Sequence, residues 1–377
     1  MNILIIPSWY NSKKNPTNGS FFREQAMALH EAGHNVIIGV VDVTLEKLSM
    51  EDKKVKLYDD CGVKTYRLNQ NKVRKTGNIG TAVAFRKGLL KVYSEIIKKE
   101  KIDIIHLHSC LWAGLGAVLI KKKSKVPLII TEHSSYYARY KVRAIEKIMV
   151  KYVLDNADEV ICVSKGLKNI ISSYRRDISV IPNMVDFKSF NNSHKEKGGK
   201  IKGFTFLSLC YLNRNKGIDI LIEAFAKYFK ESDSKLIIGG DGPERERLEL
   251  LTNELGINDK VEFKGALSRK KVAKEMAECD VFILPSRYET FGVVLIEALA
   301  SGKPVISTKN GGAEDIVTCD NGLIVGVDDI DELGEAMKNI QNNYNQYNSE
   351  DIIKNCISKY SKEVVVEKIE EIYNKKK

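Results

Sequence analysis

The sequence predicts an α/β protein of two doubly wound parallel-sheet domains in series. Three observations carry that prediction: short β-branched apolar runs alternate with amphipathic helical spacings from end to end, one polar stretch interrupts the alternation, and 377 residues are enough for about two domains. With 43% hydrophobic and 29% charged residues the chain is ordinary globular material. A disordered, collagen-like or fibrous protein is excluded, and so is a lone small binding module.

In the first half, the runs Ile3–Ile6, Val36–Val41, Ile102–Leu107, Leu128–Thr131, Val160–Val163 and Ser179–Ile181 read as buried strands. Each is separated from the next by helical spacing, including a helix expected over Val83–Ile97, either core-facing with a lysine surface or lying on lipid headgroups. After Asn183 the pattern lapses through FNNSHKEKGGKIKG, rich in Asn, Lys and Gly. This places a first domain at 1–185, a linker at 186–203 and a second domain at 204–360. Alternation resumes with Phe204–Leu209, Leu236–Ile238, Val261–Phe263, Val281–Leu284, Val305–Ile306 and Leu323–Val325. A last helix, 361–377, carries Val364, Val365, Ile369 and Ile372 at helical spacing and is expected to pack back on the first domain, its terminal lysines fraying.

The opening residues, MNILIIPSWYNSKK, lack a basic segment, a long apolar core and a small-residue cleavage site, so export is not expected. No apolar stretch approaches the ~20 residues of a membrane-spanning helix. The seven cysteines are scattered without a C-x-x-C pair and read as reduced, mostly buried residues of a cytoplasmic protein. Charge is unevenly divided. Residues 1–190 hold 32 Lys and Arg against 18 Asp and Glu, a net +14, whereas residues 191–377 hold 28 against 31, a net −3. Such asymmetry fits a lobe that meets a polyanion, and equally a lysine-rich solvated surface. Aromatic residues are sparse in the basic stretches Lys64–Lys101 and Lys121–Lys125, and no nucleic-acid-binding pattern appears, which favours an anionic membrane surface over nucleic acid.

The densest chemical signal is the run from Leu284 to Ala298. A buried strand leads into a loop carrying Glu289, and Phe291-Gly292 then open a helix that bears Glu297. A glycine at a helix start lets backbone approach a ligand, and the free N–H groups with the helix dipole suit a phosphate. The two carboxylates flank that anion site, Glu297 suited to a ribose diol and Glu289 to sugar hydroxyls. In the first half, His106 and His108 end one strand on a shared face and Thr131-Glu-His133 ends the next, so histidines reach one sheet edge from two strands. Asp329-Ile-Asp331 spells a D-x-D, but its place before an amphipathic helix reads as an N-terminal cap rather than a metal site.

The pattern Ser286-x-x-Glu289-x-Phe-Gly-x-x-x-x-Glu297-Ala, with Ser301-Gly-Lys-Pro-Val-Ile306 and Gly311-Gly312, resembles the signature of the retaining group 1 glycosyltransferases, glycosyltransferase family 4. The resemblance extends to Gly239-Gly-Asp-Gly-Pro243, Val261-x-Phe-x-Gly265, Ile181-Pro-Asn183 and Gly19-Ser-Phe-Phe-Arg-Glu-Gln25. It implies a GT-B fold, two Rossmann-like domains facing a cleft, with metal-independent transfer and no cofactor beyond the nucleoside diphosphate sugar. Carried onto this chain, it implies that Glu297 binds the donor ribose, Glu289 faces the transferred sugar, and Phe291, Gly292, Val293 and Val294 hold the diphosphate. Lys216 would neutralise the leaving phosphate, a role that suits a fixed cation. Gly19 would approach the donor, Ser20 the acceptor, and His108 and His133 the acceptor or transferred sugar. The chain departs from the family at Cys210-Tyr211-Leu212, where an arginine usually stands; Arg214, three residues on, is the candidate replacement. The resemblance leads to the expectation of a hexosyltransferase of bacterial surface polysaccharide assembly. It would use a UDP-sugar or GDP-sugar donor and a saccharide or polyprenyl-linked acceptor, in the cytoplasm or at the inner face of the membrane. The alternatives are an epimerase or sucrose-type synthase on the same fold, and a non-catalytic nucleic-acid-binding or scaffold protein.

Overall fold

The computed structural model describes residues 1–12, 18–72, 76–139, 142–191 and 203–377. Two compact units divide the chain: Met1–Asn183 with Lys362–Lys377, and Met184–Ser361.

The first unit is built on an eight-stranded sheet in the order β3-β4-β2-β1-β5-β6-β7-β8. Its strands are β1 (Asn2–Pro7), β2 (Asn35–Thr44), β3 (Lys56–Asp60), β4 (Val63–Asn71), β5 (Ile104–His108), β6 (Leu128–Glu132), β7 (Glu159–Cys162) and β8 (Ser179–Val180). All neighbours are parallel except β3 and β4. The helices are α1 (Ser20–Glu31), α2 (Gly77–Ile96), α3 (Gly114–Ser124), α4 (Tyr136–Arg139), α5 (Ala144–Asp155) and α6 (Lys165–Ile171). β1 is a continuous buried apolar run because sheet neighbours and helices cover it on every side. From β1 the chain moves outward to β2 and β4, then returns to lay β5 on the other flank of β1. The β1/β5 seam is therefore the switch point of this sheet, and ligands of open α/β sheets bind beyond the carboxyl ends at such seams.

The β3–β4 hairpin is absent from the sequence reading. Strand β3 is nearly all exposed, KLYDD, without the alternation that marks a half-buried strand. Its two-residue turn puts Cys61 (φ 54°) and Gly62 (φ 89°) in the left-handed region, the geometry of a tight hairpin turn, but with cysteine where Asn or Asp usually signals it. Asp60 then accepts Arg23 of α1 at 2.7 Å and the Tyr10 hydroxyl at 2.9 Å, fastening the hairpin to the sheet.

The second unit holds a fully parallel six-stranded sheet, β11-β10-β9-β12-β13-β14. Its strands are β9 (Thr205–Leu209), β10 (Lys235–Gly239), β11 (Val261–Gly265), β12 (Val281–Leu284), β13 (Val305–Thr308) and β14 (Gly322–Val325). The helices are α7 (Phe187–Asn191), α8 (Ile218–Phe229), α9 (Arg245–Glu254), α10 (Arg269–Glu278), α11 (Val293–Ala300), α12 (Ile330–Asn342) and α13 (Ser349–Tyr360). Phe225 and Phe229 stack in the core, and Phe206 meets Phe229 edge-on at 5.0 Å. Here the switch point is the β9/β12 seam, between the loop that carries Lys216 and the loop that carries Glu289. Asp329 caps α12, accepting from the Glu332 N–H at 2.9 Å, and Asp331 pairs with Lys227 and Tyr228.

One detail differs from the sequence expectation. The stretch 186–203 is not wholly linker: α7 lies within it and packs with α10 and α11, and the Phe190 ring is buried under the Arg269 guanidinium. Residues 192–202 lie outside the described residues. A last helix, α14 (Lys362–Lys376), runs through the terminal lysines, and Lys376 pairs with Glu159 at 3.1 Å. Helix α14 lies against the first unit, with Glu370 on His34 at 2.7 Å and Lys362 on Glu31 at 3.3 Å. Among the described residues no helix is long and apolar enough to cross a membrane.

Candidate functional site

In the second unit the two switch-point loops are tied together. A 3-10 turn, Arg214–Lys216, follows β9 and is opened by Asn213, whose side chain accepts the Asn215 N–H at 3.0 Å. Asn215 donates from its amide to the Tyr288 carbonyl at 2.9 Å and accepts the Arg287 N–H at 2.7 Å. Arg287 itself bonds the Arg214 carbonyl and pairs with Asp219 at 3.2 Å and Asp328 at 2.7 Å. This lattice sets Lys216 Nζ 2.6 Å from Glu289 Oε1, both side chains part-buried. A third loop braces the second: the Asn310 carbonyl accepts the Glu289 N–H at 2.9 Å, and the buried Asn310 side chain caps Gly312 and Ala313.

Helix α11 begins immediately after Glu289. Gly292 is its N-cap at φ 92°, and no side chain caps the helix. A residue with a Cβ is strained at that φ; the Leu295 N–H is taken by the Gly292 carbonyl at 2.9 Å, and no side chain caps the N–H groups of Val293 and Val294. An anion placed there gains those donors together with the positive end of the dipole. Phe291 is buried and anchors the turn against Tyr360, ring centroids 6.0 Å apart.

Glu297 lies in the second turn of α11 and is only 3% exposed. It accepts a hydrogen bond from the Arg269 guanidinium of α10. Burial raises its pKa, and the neighbouring arginine opposes that rise. The carboxylate assigned to a ribose diol thus already has a cationic partner, a feature the sequence reading missed, as it missed Arg287. Arg214 is exposed, and within the loop lattice it takes part through its carbonyl.

In the first unit, β5 and β6 deliver their histidines to the carboxyl edge beside the β1/β5 seam. His106 Nδ1 lies 2.6 Å from the Tyr373 hydroxyl of α14, and its Nε2 2.7 Å from Thr131 Oγ1. His108 Nδ1 lies 3.1 Å from His133 Nε2. Phe22 packs on both rings at 5.0 Å, and Phe21 on His133 at 4.9 Å. Burial pushes the pKa values of His106 and His133 down to about 3, Asn183 partly opposing this at His133, and pushes that of His108 well below its ordinary value. All three are neutral at physiological pH, so the His108–His133 bond joins one ring donor to one ring acceptor. Among the described residues the outer nitrogens, His108 Nε2 and His133 Nδ1, have no partner within hydrogen-bond distance.

His108 is fully buried beside His133, with the Phe22 ring of α1 packed on it, while His133 keeps 6% exposure. Gly19 and Ser20 stand at the start of α1, after β1, with Ser20 exposed. Glu132, between the histidine positions, is buried and accepts from the N–H groups of Cys110, His133 and Ser134 at 2.9–3.0 Å. It fixes the turns that aim the edge, a role for which the sequence offers no signal beyond a carboxylate at a strand end.

Comparison with known proteins agrees with this architecture. The family described as Glycosyl transferases group 1 matches residues 189–375, and Glycosyltransferase Family 4 matches residues 19–189. An uncharacterised glycosyltransferase of Methanocaldococcus jannaschii is 31% identical over 255 residues, 67% of this chain and 69% of that protein. The alpha-monoglucosyldiacylglycerol synthase of Streptococcus pneumoniae is 34% identical over 238 residues, 57% of this chain and 54% of its own length. Among solved structures, sucrose-phosphate synthase from Thermosynechococcus elongatus superposes with a TM-score of 0.80 at 21% identity, over 100% of this chain and 98% of that one. Anabaena HepE in complex with UDP superposes at 0.76 and 18%, covering 100% of both chains. The GT-B likeness of the structures, the family matches over nearly the whole length and the archaeal relative lead to one conclusion: the chain belongs to the group 1, family 4 glycosyltransferases.

Proposed function

We propose that the protein is a retaining hexosyltransferase that takes a nucleoside diphosphate sugar, a UDP-sugar in preference to a GDP-sugar, and glycosylates a saccharide or polyprenyl-linked saccharide in bacterial surface polysaccharide synthesis. The observation that carries this reading is the Lys216–Glu289 pair at the β9/β12 switch point, beside the uncapped N-terminus of α11. The diphosphate rests on the N–H groups of Phe291, Gly292, Val293 and Val294, with Lys216 and Arg214 supplying positive charge. As the glycosidic bond breaks, negative charge grows on the leaving diphosphate, and a fixed cation and helix dipole stabilise that charge more than the ground state. Lys216 turns from Glu289 to the phosphate, freeing Glu289 to accept hydroxyls of the transferred sugar. Glu297 receives the ribose diol. The acceptor hydroxyl attacks from the side the diphosphate leaves, and its proton passes to a diphosphate oxygen. No metal takes part in this scheme.

Ser20 and His133 serve the acceptor side, and His108 acts through His133 by fixing its tautomer. Relatives that include a glycolipid synthase support a lipid-linked acceptor, and the UDP held by HepE supports a uridine donor. The basic first unit meets an anionic membrane surface from the cytoplasmic side. Family membership favours this enzyme over a non-catalytic scaffold or nucleic-acid-binding protein. The test is transfer from radiolabelled UDP-sugars and GDP-sugars in wild type and Glu289→Gln. The variant is expected to lose about a hundredfold or more in turnover, and undiminished turnover would falsify the placement of the site.

A further inference from the structure

Helix α5 presents an apolar stripe to solvent. Its inner face, Val150, Val153 and Leu154, is buried in the core, as an amphipathic helix requires. Ile145, Ile148 and Tyr152, at i, i+3 and i+7, nevertheless form a second apolar face, with Ile145 47% and Ile148 65% exposed. That stripe, with Ile79 and Val83 of α2 and Leu115 of α3, lines one open apolar groove. Scattered apolar side chains on a surface need no explanation, but contiguous ones along a groove mark an interaction site.

The setting of the groove is cationic. Lys147 and Lys151 flank the stripe at i and i+4, and Lys122 bonds the Tyr152 hydroxyl at 3.0 Å with its ammonium 5.0 Å from the ring centroid. Arg143 opens the helix, and its partner Glu146 is buried, holding it at 2.7 Å. Of the acids on α5, Asp155 is taken by Lys151 at 2.9 Å. Apolar residues framed by cations match a bilayer with anionic headgroups: the isoleucines reach the acyl boundary while the lysines stay at phosphate level. A second copy of the chain fits poorly, because two such faces would set lysine against lysine.

The position of the groove gives it a purpose. Helices α2 and α3 start after β4 and β5, and α5 starts after β6 by way of α4, so their first turns lie at the carboxyl edge of the sheet. Ile79, Leu115 and Ile145 belong to those first turns, with Ile148 in the next turn of α5, at the edge where His133 follows β6. The Asn78 amide and the Tyr136 hydroxyl both bond the Glu146 carboxylate, at 2.8 and 2.9 Å, forming a polar rim between groove and edge.

We infer that the α2/α3/α5 groove is the face by which this chain docks on an anionic lipid bilayer, holding the acceptor edge of the first unit at the lipid surface. The inference deepens the membrane-surface part of the proposed function by naming the face, and its test does not depend on turnover. Full-length protein is floated with phosphatidylglycerol–phosphatidylcholine vesicles and with phosphatidylcholine vesicles alone. Wild type is expected to bind the anionic vesicles, and to bind less as salt rises. The Ile145→Asn/Ile148→Asp double variant should bind at least about tenfold more weakly. Lys147→Gln/Lys151→Gln should lose about fivefold per lysine, with a flatter salt dependence. Circular dichroism and nucleotide-induced thermal shift are read on every variant, so that a misfolded protein is recognised; if the aspartate variant is misfolded, Ile148→Ser replaces it. Absence of wild-type binding to anionic vesicles overturns the inference, as does equal binding by folded isoleucine variants. A wild-type dimer that the isoleucine variants break, without vesicle binding, overturns it in favour of a second copy. Vesicle binding through this face in a protein that turns over no nucleotide sugar upholds it and refutes the transferase reading instead.

Discussion

Lowering the pH from about 7.5 to about 5.5 should destabilise the first unit selectively, by an amount the three buried histidines set. His106, His108 and His133 are held neutral by burial, with His106 and His133 pushed down to about 3, whereas an unfolded histidine titrates near 6.5. Between those values the unfolded chain binds protons that the folded chain refuses. Stability is therefore complete above about pH 6.5 and falls as pH drops below it. At about pH 5.5 each ring costs on the order of 1 kcal/mol, and the three together a few kcal/mol. That is a large part of the stability of an ordinary domain. Both tryptophans, Trp9 and Trp112, lie in the first unit, so their fluorescence reports its unfolding by urea without interference from the second. His108→Asn should remove about a third of the pH dependence whatever it does to stability at neutral pH. An unfolding midpoint that does not move between the two pH values would refute the argument, since it would mean that the rings titrate alike in folded and unfolded protein.

Other consequences concern the donor side. Lys216→Met should lower turnover by about a hundred- to a thousandfold while leaving nucleotide affinity within about tenfold, because the cation acts on charge that develops in transfer; steady-state kinetics beside calorimetric titration separates the two. Arg269→Met removes the charge that opposes the burial-driven rise of the Glu297 pKa. Nucleotide affinity in that variant should fall as pH falls, since the protonated carboxyl accepts the ribose hydroxyls poorly. Arg269→Lys should restore the wild-type profile, and a pH-independent affinity in Arg269→Met would count against the pairing.

Much of this fold is legible in the sequence because a parallel strand buried on both faces leaves an apolar run that nothing disguises. Ile3–Ile6 and Val281–Leu284 are of that kind. The β3–β4 hairpin is not, since an exposed antiparallel edge strand such as KLYDD has no apolar face to display. The capless glycine start of α11 could be read directly, because glycine before a helix has a local meaning. Pairings made across the fold had no such mark. Arg269 reaches Glu297 from another helix, Arg287 reaches back to the β9 loop, and Phe22 seals His108 from α1. The lapse after Asn183 reads as linker because polar composition conceals the single turn of α7, whose Phe190 is buried by α10 rather than by any neighbour in sequence.

The most direct test of the donor site is the thermal shift of the full-length protein with UDP, GDP and ADP, in wild type and in Glu297→Gln. The α11 terminus, Lys216 and Glu297 together predict a rise with one base, UDP foremost, equivalent to about 2.7 kcal/mol at a hundred times Kd, and its loss in the variant. No rise with any nucleotide in folded protein, or an equal rise in Glu297→Gln, would contradict the assignment of the β9/β12 switch point as the place where the donor binds.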